Sequence, residues 1–276
     1  MKKILIAVSL CMAVCLFAGC GKTNEKLDEA NKQIEELSGK INTLVELMND
    51  YEDYEDEVHE IYDTSAVAEA YKSGDKDGLS EEDAYILKQA TKVIKEIIKD
   101  DMTDYEKEKA VYDYMYDVTS FDDGSLSAIE STGEFAHTPY GFFKEHSTIC
   151  VGNATTFKLF MDMLDIDCKL IHSTSNGEHA WNIVKLDDDW YHVDLTFDSP
   201  DSKEPAYTYF NVPDAAKNTG DYPWDRSEFP ECKGTKYCYG LNNSIEIESV
   251  YEIPKQLKKA MDDEQGSIFL KLPVPS

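Results

Sequence analysis

The run from His179 to Phe197, read as HAWNIVKL, then DDD, then WYHVDLTF, most restricts what this chain can fold into. Two segments rich in β-branched and aromatic residues flank three aspartates, the pattern of an antiparallel hairpin. Side chains alternate faces along a strand, so the turn centre decides which residues meet. With Asp187 and Asp188 at the centre, His179 lies opposite Thr196, and Asp194 is its diagonal neighbour on the same face. Diagonal neighbours sit roughly 7 to 8 Å apart, close enough for a carboxylate to reach an imidazole. A turn centred on Asp188 alone would send the two to opposite faces.

Upstream, Phe157, Leu159, Phe160, Met163 and Leu164 recur at helical spacing, and Cys150 stands where that helix would begin. Unpaired amides and the helix dipole at such a start favour a thiolate and could hold a developing oxyanion. Cys150, His179 and Asp194 therefore have the residue types and order of a nucleophile, its base and the group that holds the base. Trp181 shares the face of His179 and is a candidate to line an acceptor groove; Tyr140 is a candidate oxyanion donor. His172 and His192 read as ordinary residues, with His192, of the same parity as Asp194, in reserve.

These residues carry a resemblance. The segment from roughly 100 to 240 resembles the transglutaminase-like superfamily, in its bacterial cell-surface branch. TDYEKEKAVYDYMYD at 103 to 117, WYHVDLTFDSP, the YFNVPDA run from Tyr209, and FPEC ending at Cys232 are similar to elements of that family. The resemblance implies an α+β, papain-like core, with the Cys on a central helix and the His and Asp on adjacent antiparallel strands. It also implies acyl-transfer chemistry. One departure is local: bacterial members usually continue the Cys with a Gly-Tyr-Ala type sequence, where this chain has Val151, Gly152, Asn153 and Ala154.

At the N-terminus, two lysines precede an apolar run that ends Leu16, Phe17, Ala18, Gly19 before Cys20. The run is short of the roughly 20 residues that a membrane crossing needs and reads as an export signal over 1–19. Cys20 resembles a lipobox cysteine, although Phe17 departs from the usual Leu. The expectation is lipidation at Cys20 and an extracytoplasmic, membrane-anchored domain. Leu27, Ala30, Ile34, Leu37, Ile41, Leu44, Met48 and Tyr51 then keep heptad spacing, broken at Glu55 and resumed at Val58 and Tyr62. A helix of that length spans on the order of 55 Å and would form a stalk over 20–62, with stalk-mediated homo-oligomerisation as one consequence. An amphipathic strap folded onto the domain is the other reading, and Gly39 weakens a continuous rod.

Residues 63–240 are assigned to the transglutaminase-like domain with its leading helices, where Ser80 with Asp83 and Thr103 with Glu106 read as capping boxes. Residues 241–276 read as a strand-helix-strand appendage. Export of the signal removes Lys2 and Lys3 and takes the formal charge from −28 to −30, so nucleic acid is not an expected partner. Of the seven cysteines, Cys150, Cys168, Cys232 and Cys238 remain in the domain; Cys232 and Cys238 flank a turn and could form a disulfide outside the cell. No zinc-ligand spacing or phosphate-binding loop is seen, and no metal or cofactor is expected.

Two functions fit. One is a cysteine acyl-transfer enzyme acting on a protein or peptide at the cell surface, with crosslinking, deamidation and peptide hydrolysis left open. The other is a non-catalytic binding module that retains the fold. A papain-type protease is disfavoured, because its His lies roughly 130 to 150 residues beyond the Cys, against 29 here.

Overall fold

The computed structural model describes residues 58–119, 135–146, 148–175, 177–198, 205–217, 222–263, 265 and 267–272. The expected signal over 1–19, lipidation at Cys20 and the stalk as far as residue 57 lie outside them. Residues 58–64 are not helical, so Val58 and Tyr62 do not extend the heptad helix. Tyr62 instead packs on the core and donates its hydroxyl to Asp83 at 2.8 Å.

Five helices lead into the sheet: α1 (Ser65–Ser73), α2 (Glu81–Ile97), α3 (Asp104–Val118), α4 (Pro139–Glu145) and α5 (Cys150–Met163). Ser80 and Thr103 start α2 and α3 with reciprocal capping boxes to Asp83 and Glu106, which supply partners for amides that a helix start leaves unpaired. Helix α5 is buried almost all round, as its Phe157, Leu159, Phe160, Met161 and Met163 require. Its two buried hydroxyls, Thr155 and Thr156, bond back to the carbonyls of Val151 and Gly152 at 2.7 Å.

Four antiparallel strands follow, β1 (Cys168–Ser173), β2 (His179–Leu186), β3 (Asp189–Val193) and β4 (Phe210–Val212), in the order β1-β2-β3-β4. Leu186 pairs with Asp189 and Ile183 with His192, the register of a turn centred on Asp187 and Asp188. Asp187 adopts φ 54, a left-handed conformation suited to the first position of a two-residue hairpin turn. Lys236 and Tyr237 both bond its carboxylate.

The sheet is covered on both faces. Helix α5 packs on β1 and β2 and joins the main core of α1 to α4. Ile171, Trp181, Ile183 and Cys232 form a second cluster, closed by Trp190, Tyr222, Trp224 and Phe229. Short helices α6 (Asp214–Lys217) and α7 (Tyr239–Asn242) flank β4, and α7 reaches the C-terminal appendage. There β5 (Ser244–Glu246) and β6 (Phe269–Lys271) pair in parallel around α8 (Ile253–Asp262). The strand-helix-strand order is the one read from the sequence. Among the described residues, no helix is long and apolar enough to cross a membrane.

Candidate active site

The start of α5 sits against the first residues of β2. Cys150 is the first residue of α5, with Ile149 as its N-cap. Gly152 permits this approach: a Cβ there would lie 2.2 Å from the carbonyl oxygen of Ala136, which also accepts from the amide of Ile149 at 3.1 Å. Asn153 ties the same turn down, accepting from Thr148 and donating to Thr196 at 3.2 Å. The departure from the family sequence at this position thus has a packing role.

The Cys150 sulfur lies 3.9 Å from the carbonyl oxygen of Glu178, and the amides of Ala180 and Val151 hydrogen bond to it. It is thereby held against the backbone on both sides of His179. Burial pushes the thiol up to about 11, aided by the negative charges of Glu178 and Asp194 and opposed by the two amides. The helix start was expected to favour the thiolate; desolvation outweighs it and favours the neutral thiol.

His179 is buried, and its Nε2 lies 2.7 Å from Oδ2 of Asp194. This leaves Nδ1 as the nitrogen that can exchange a proton with a thiol. Phe197 stacks on the ring at 4.3 Å between centroids, with Tyr222 at 4.7 Å and Trp181 at 5.5 Å, so the imidazole has little room to rotate. Asp194 is the first residue beyond β3, with its amide bonded to Tyr209 and its Oδ1 accepting from the amide of Phe197. Burial opposes its ionisation, yet the bond to His179 and the charge of Lys217 hold its carboxyl below the usual range.

The structure places the remaining sequence candidates as follows. Trp181, a candidate to line an acceptor groove, is fully buried as a core aromatic of the sheet, and its indole N–H donates to Nδ1 of His192 at 3.0 Å. Tyr140, on α4, accepts from Lys144 at its hydroxyl at 2.7 Å, and its ring packs against Tyr85 of α2 and Phe135. Cys232 and Cys238 are both free and buried in separate surroundings, so the expected bridge is not made. Cys232 instead joins His192 and Asp214, whose ligand-type atoms all lie within 4.8 Å.

That trio does not suit a metal. His192 Nδ1 accepts from Trp181, so Nε2 carries the proton and donates it to Asp214 at 2.8 Å. Binding a cation through Nε2 would need the proton on Nδ1, facing an indole that can only donate. Burial lowers His192 to about 4, keeping it neutral.

Two further features were not visible in the sequence. Lys217, the last residue of α6, is buried with its ammonium 2.5 Å from Oδ2 of Asp194. Glu178, the residue before His179, is clamped by three bonds of 2.7 Å, from the amide and Nδ1 of His59 and from Nε2 of His172.

A helix-borne thiol beside a carboxylate-held histidine on an antiparallel sheet defines a papain-like class of site within an α+β fold. Residues 91–195 match the family model of the transglutaminase-like superfamily, a span that includes Cys150, His179 and Asp194. The chain therefore contains a transglutaminase-like superfamily domain. A solved structure described as "Crystal structure of a TGase" is 17% identical, with a TM-score of 0.33, over 46% of this chain and 36% of that one. The matched part is thus about a third of that longer protein. No curated protein matches the chain.

Proposed function

We propose that the protein is a cysteine acyl-transfer enzyme, with Cys150 as nucleophile, His179 as general base and Asp194 as the residue that orients it. The observation that carries this reading is the buried His179–Asp194 bond at 2.7 Å, with the Cys150 sulfur packed against the backbone flanking His179. Since the resting thiol is neutral, its proton passes to Nδ1 of His179 as sulfur attacks the carbonyl carbon, with the electron pair moving onto the carbonyl oxygen. Collapse of that oxyanion expels the amine, which takes the proton from His179 and leaves a thioester. Water or a second amine then attacks the thioester and restores the thiol.

The substrate class is a peptide or protein carboxamide at the cell surface, and the domain is held there by a lipid on Cys20. Both proposals rest on the sequence alone. To test the chemistry, protein starting at Gly21 is mixed with a glutamine-bearing peptide and analysed by intact mass. An adduct on Cys150 equal to the peptide less ammonia, absent in Cys150→Ala and His179→Ala, is the expected result. No adduct and no peptide turnover would refute it.

The buried, proton-retaining thiol favours one second reading, a binding module that keeps the fold without turnover. It requires peptide binding that survives Cys150→Ser with unchanged affinity.

A further inference from the structure

We propose that Lys217 is a positioning residue of this site: its ammonium neutralises Asp194, so that His179 faces an ion pair in place of a bare carboxylate. The proposal rests on the acyl-transfer reading in taking His179 as the base. The geometry is direct, because the oxygen of Asp194 that holds Nε2 of His179 at 2.7 Å also receives the Lys217 ammonium. Both side chains are at most 3% exposed, so water does not screen the contact.

A lysine is almost never buried unless paired, and an apolar residue would fill its slot with less penalty. The slot is lined by rings. The ammonium lies 4.6 Å from the centroid of Trp181, 4.4 Å from Phe197 and 5.0 Å from Tyr209. Trp181 and Phe197 are the rings that stack on His179, so one cage holds the base and the cation that tempers its partner. The pairing needs Pro213 and β4 to bring the end of α6 beneath Asp194, and helix α6 makes its contacts with β3 and β4.

The chemical consequence concerns the proton. A lone carboxylate in a dry pocket strongly favours imidazolium, whereas a base must start neutral to accept a proton from a thiol. Lys217 cancels most of that pull while leaving the oxygen in place to fix the ring. The charge of Lys217 also acts on His192 and Asp198, and the other groups facing the site have partners of their own. Glu178 is clamped by His59 and His172, Asp198 is bonded by Tyr112 and by the amide of Tyr209, Cys150 faces from α5, and Tyr222 supplies a ring.

Iodoacetamide labelling of Cys150 across pH tests this without a substrate. It uses protein starting at Gly21 and the variants His179→Ala, Lys217→Met, Lys217→Arg and Lys217→Met with Asp194→Asn. Removing the cation leaves the charge of Asp194, which already opposes ionisation of Cys150, uncompensated, so the thiol holds its proton more tightly. In Lys217→Met the rise of labelling should move up by about one pH unit or more, a tenfold or greater loss of rate on its acid side. Lys217→Arg keeps the charge and should stay within a few tenths of the parent. The double variant removes both charges together, so the rise of labelling should return to the parent pH, at whatever lower plateau rate the loss of the Asp194 hold on His179 imposes.

Labelling that depends on His179 but is indifferent to Lys217→Met overturns this proposal alone. A double variant displaced as far as Lys217→Met does the same. Labelling indifferent to His179→Ala overturns the acyl-transfer reading, and this proposal with it. Should Lys217→Met alone fail to fold, the double variant carries the test; its failure to fold would assign Lys217 to the fold and overturn the proposal.

Discussion

Glu108 on α3 should make this protein sensitive to alkali, and Glu108→Gln should remove that sensitivity. The side chain is fully buried, and its Oε2 accepts from Nδ2 of Asn211 at 2.8 Å. Its Oε1 and the Oδ1 of Asn211 are both left without a partner, two acceptors with no donor between them. A proton on Oε1 converts one into a donor, so the neutral acid suits the pocket and the carboxylate does not. Burial accordingly raises Glu108 from 4.5 to about 8. The folded state therefore holds this proton more tightly than the unfolded chain. Its contribution is fully present below pH 4.5 and is lost as pH rises through about 8. Each pH unit in that window is worth about 1.4 kcal/mol, giving a loss on the order of 5 kcal/mol, which rivals the whole stability of many domains. Gln supplies the missing donor at every pH. Urea unfolding of parent and variant from pH 5 to pH 9 should show the parent falling and the variant much flatter, with the gap widest above pH 8. Parallel stability curves would refute the assignment of a buried neutral acid.

Three other outcomes follow from the same physics. His192, lowered to about 4 by burial, supplies stability that is present above its unfolded value near 6.5 and lost as pH falls through 4. His192→Gln, which can accept from Trp181 and donate to Asp214, should flatten the acid side of the stability curve by about 3 kcal/mol in the same unfolding assay. Gly152→Ala places a Cβ 2.2 Å from the Ala136 carbonyl, and denaturant unfolding should show a loss of about 1 to 3 kcal/mol, with slower Cys150 alkylation. Thiol titration with Ellman's reagent in denaturant, without reductant, should count four thiols in protein starting at Gly21, since Cys150, Cys168, Cys232 and Cys238 are all free; a count of two would restore the bridge.

The parts of the fold legible in the sequence are those set by local rules. The hairpin turn, the capping boxes at Ser80 and Thr103, and the helix beginning at Cys150 each depend on residues a few positions apart. Lys217 was not legible, because it ends a short DAAK segment that reads as an exposed helix end, and only the return of β4 beneath Asp194 buries it. His59 reaches Glu178 across 119 residues, a pairing with no local signal. The thiol of Cys150 shows the same division. Its helix start was readable, but the desolvation that outweighs the dipole comes from burial of the sulfur against β2, with the charge of Glu178 adding to it. Trp181 was placed on the correct face, yet the direction of its indole N–H was decided by His192 across the hairpin.

The two-residue turn at Asp187 and Asp188 works like a reading frame for everything downstream of it. With this two-residue turn kept, adding or deleting a single residue in the strand between it and Asp194 would turn Asp194 away from His179. With the turn fixed, a length change between it and Asp194 keeps the pair only in steps that preserve the parity. Among chains of similar sequence that keep the two-residue turn, an even separation between the His and Asp positions, in place of the 15 seen here, would mark those that retain the fold but have lost the pair, even where both residues are still present.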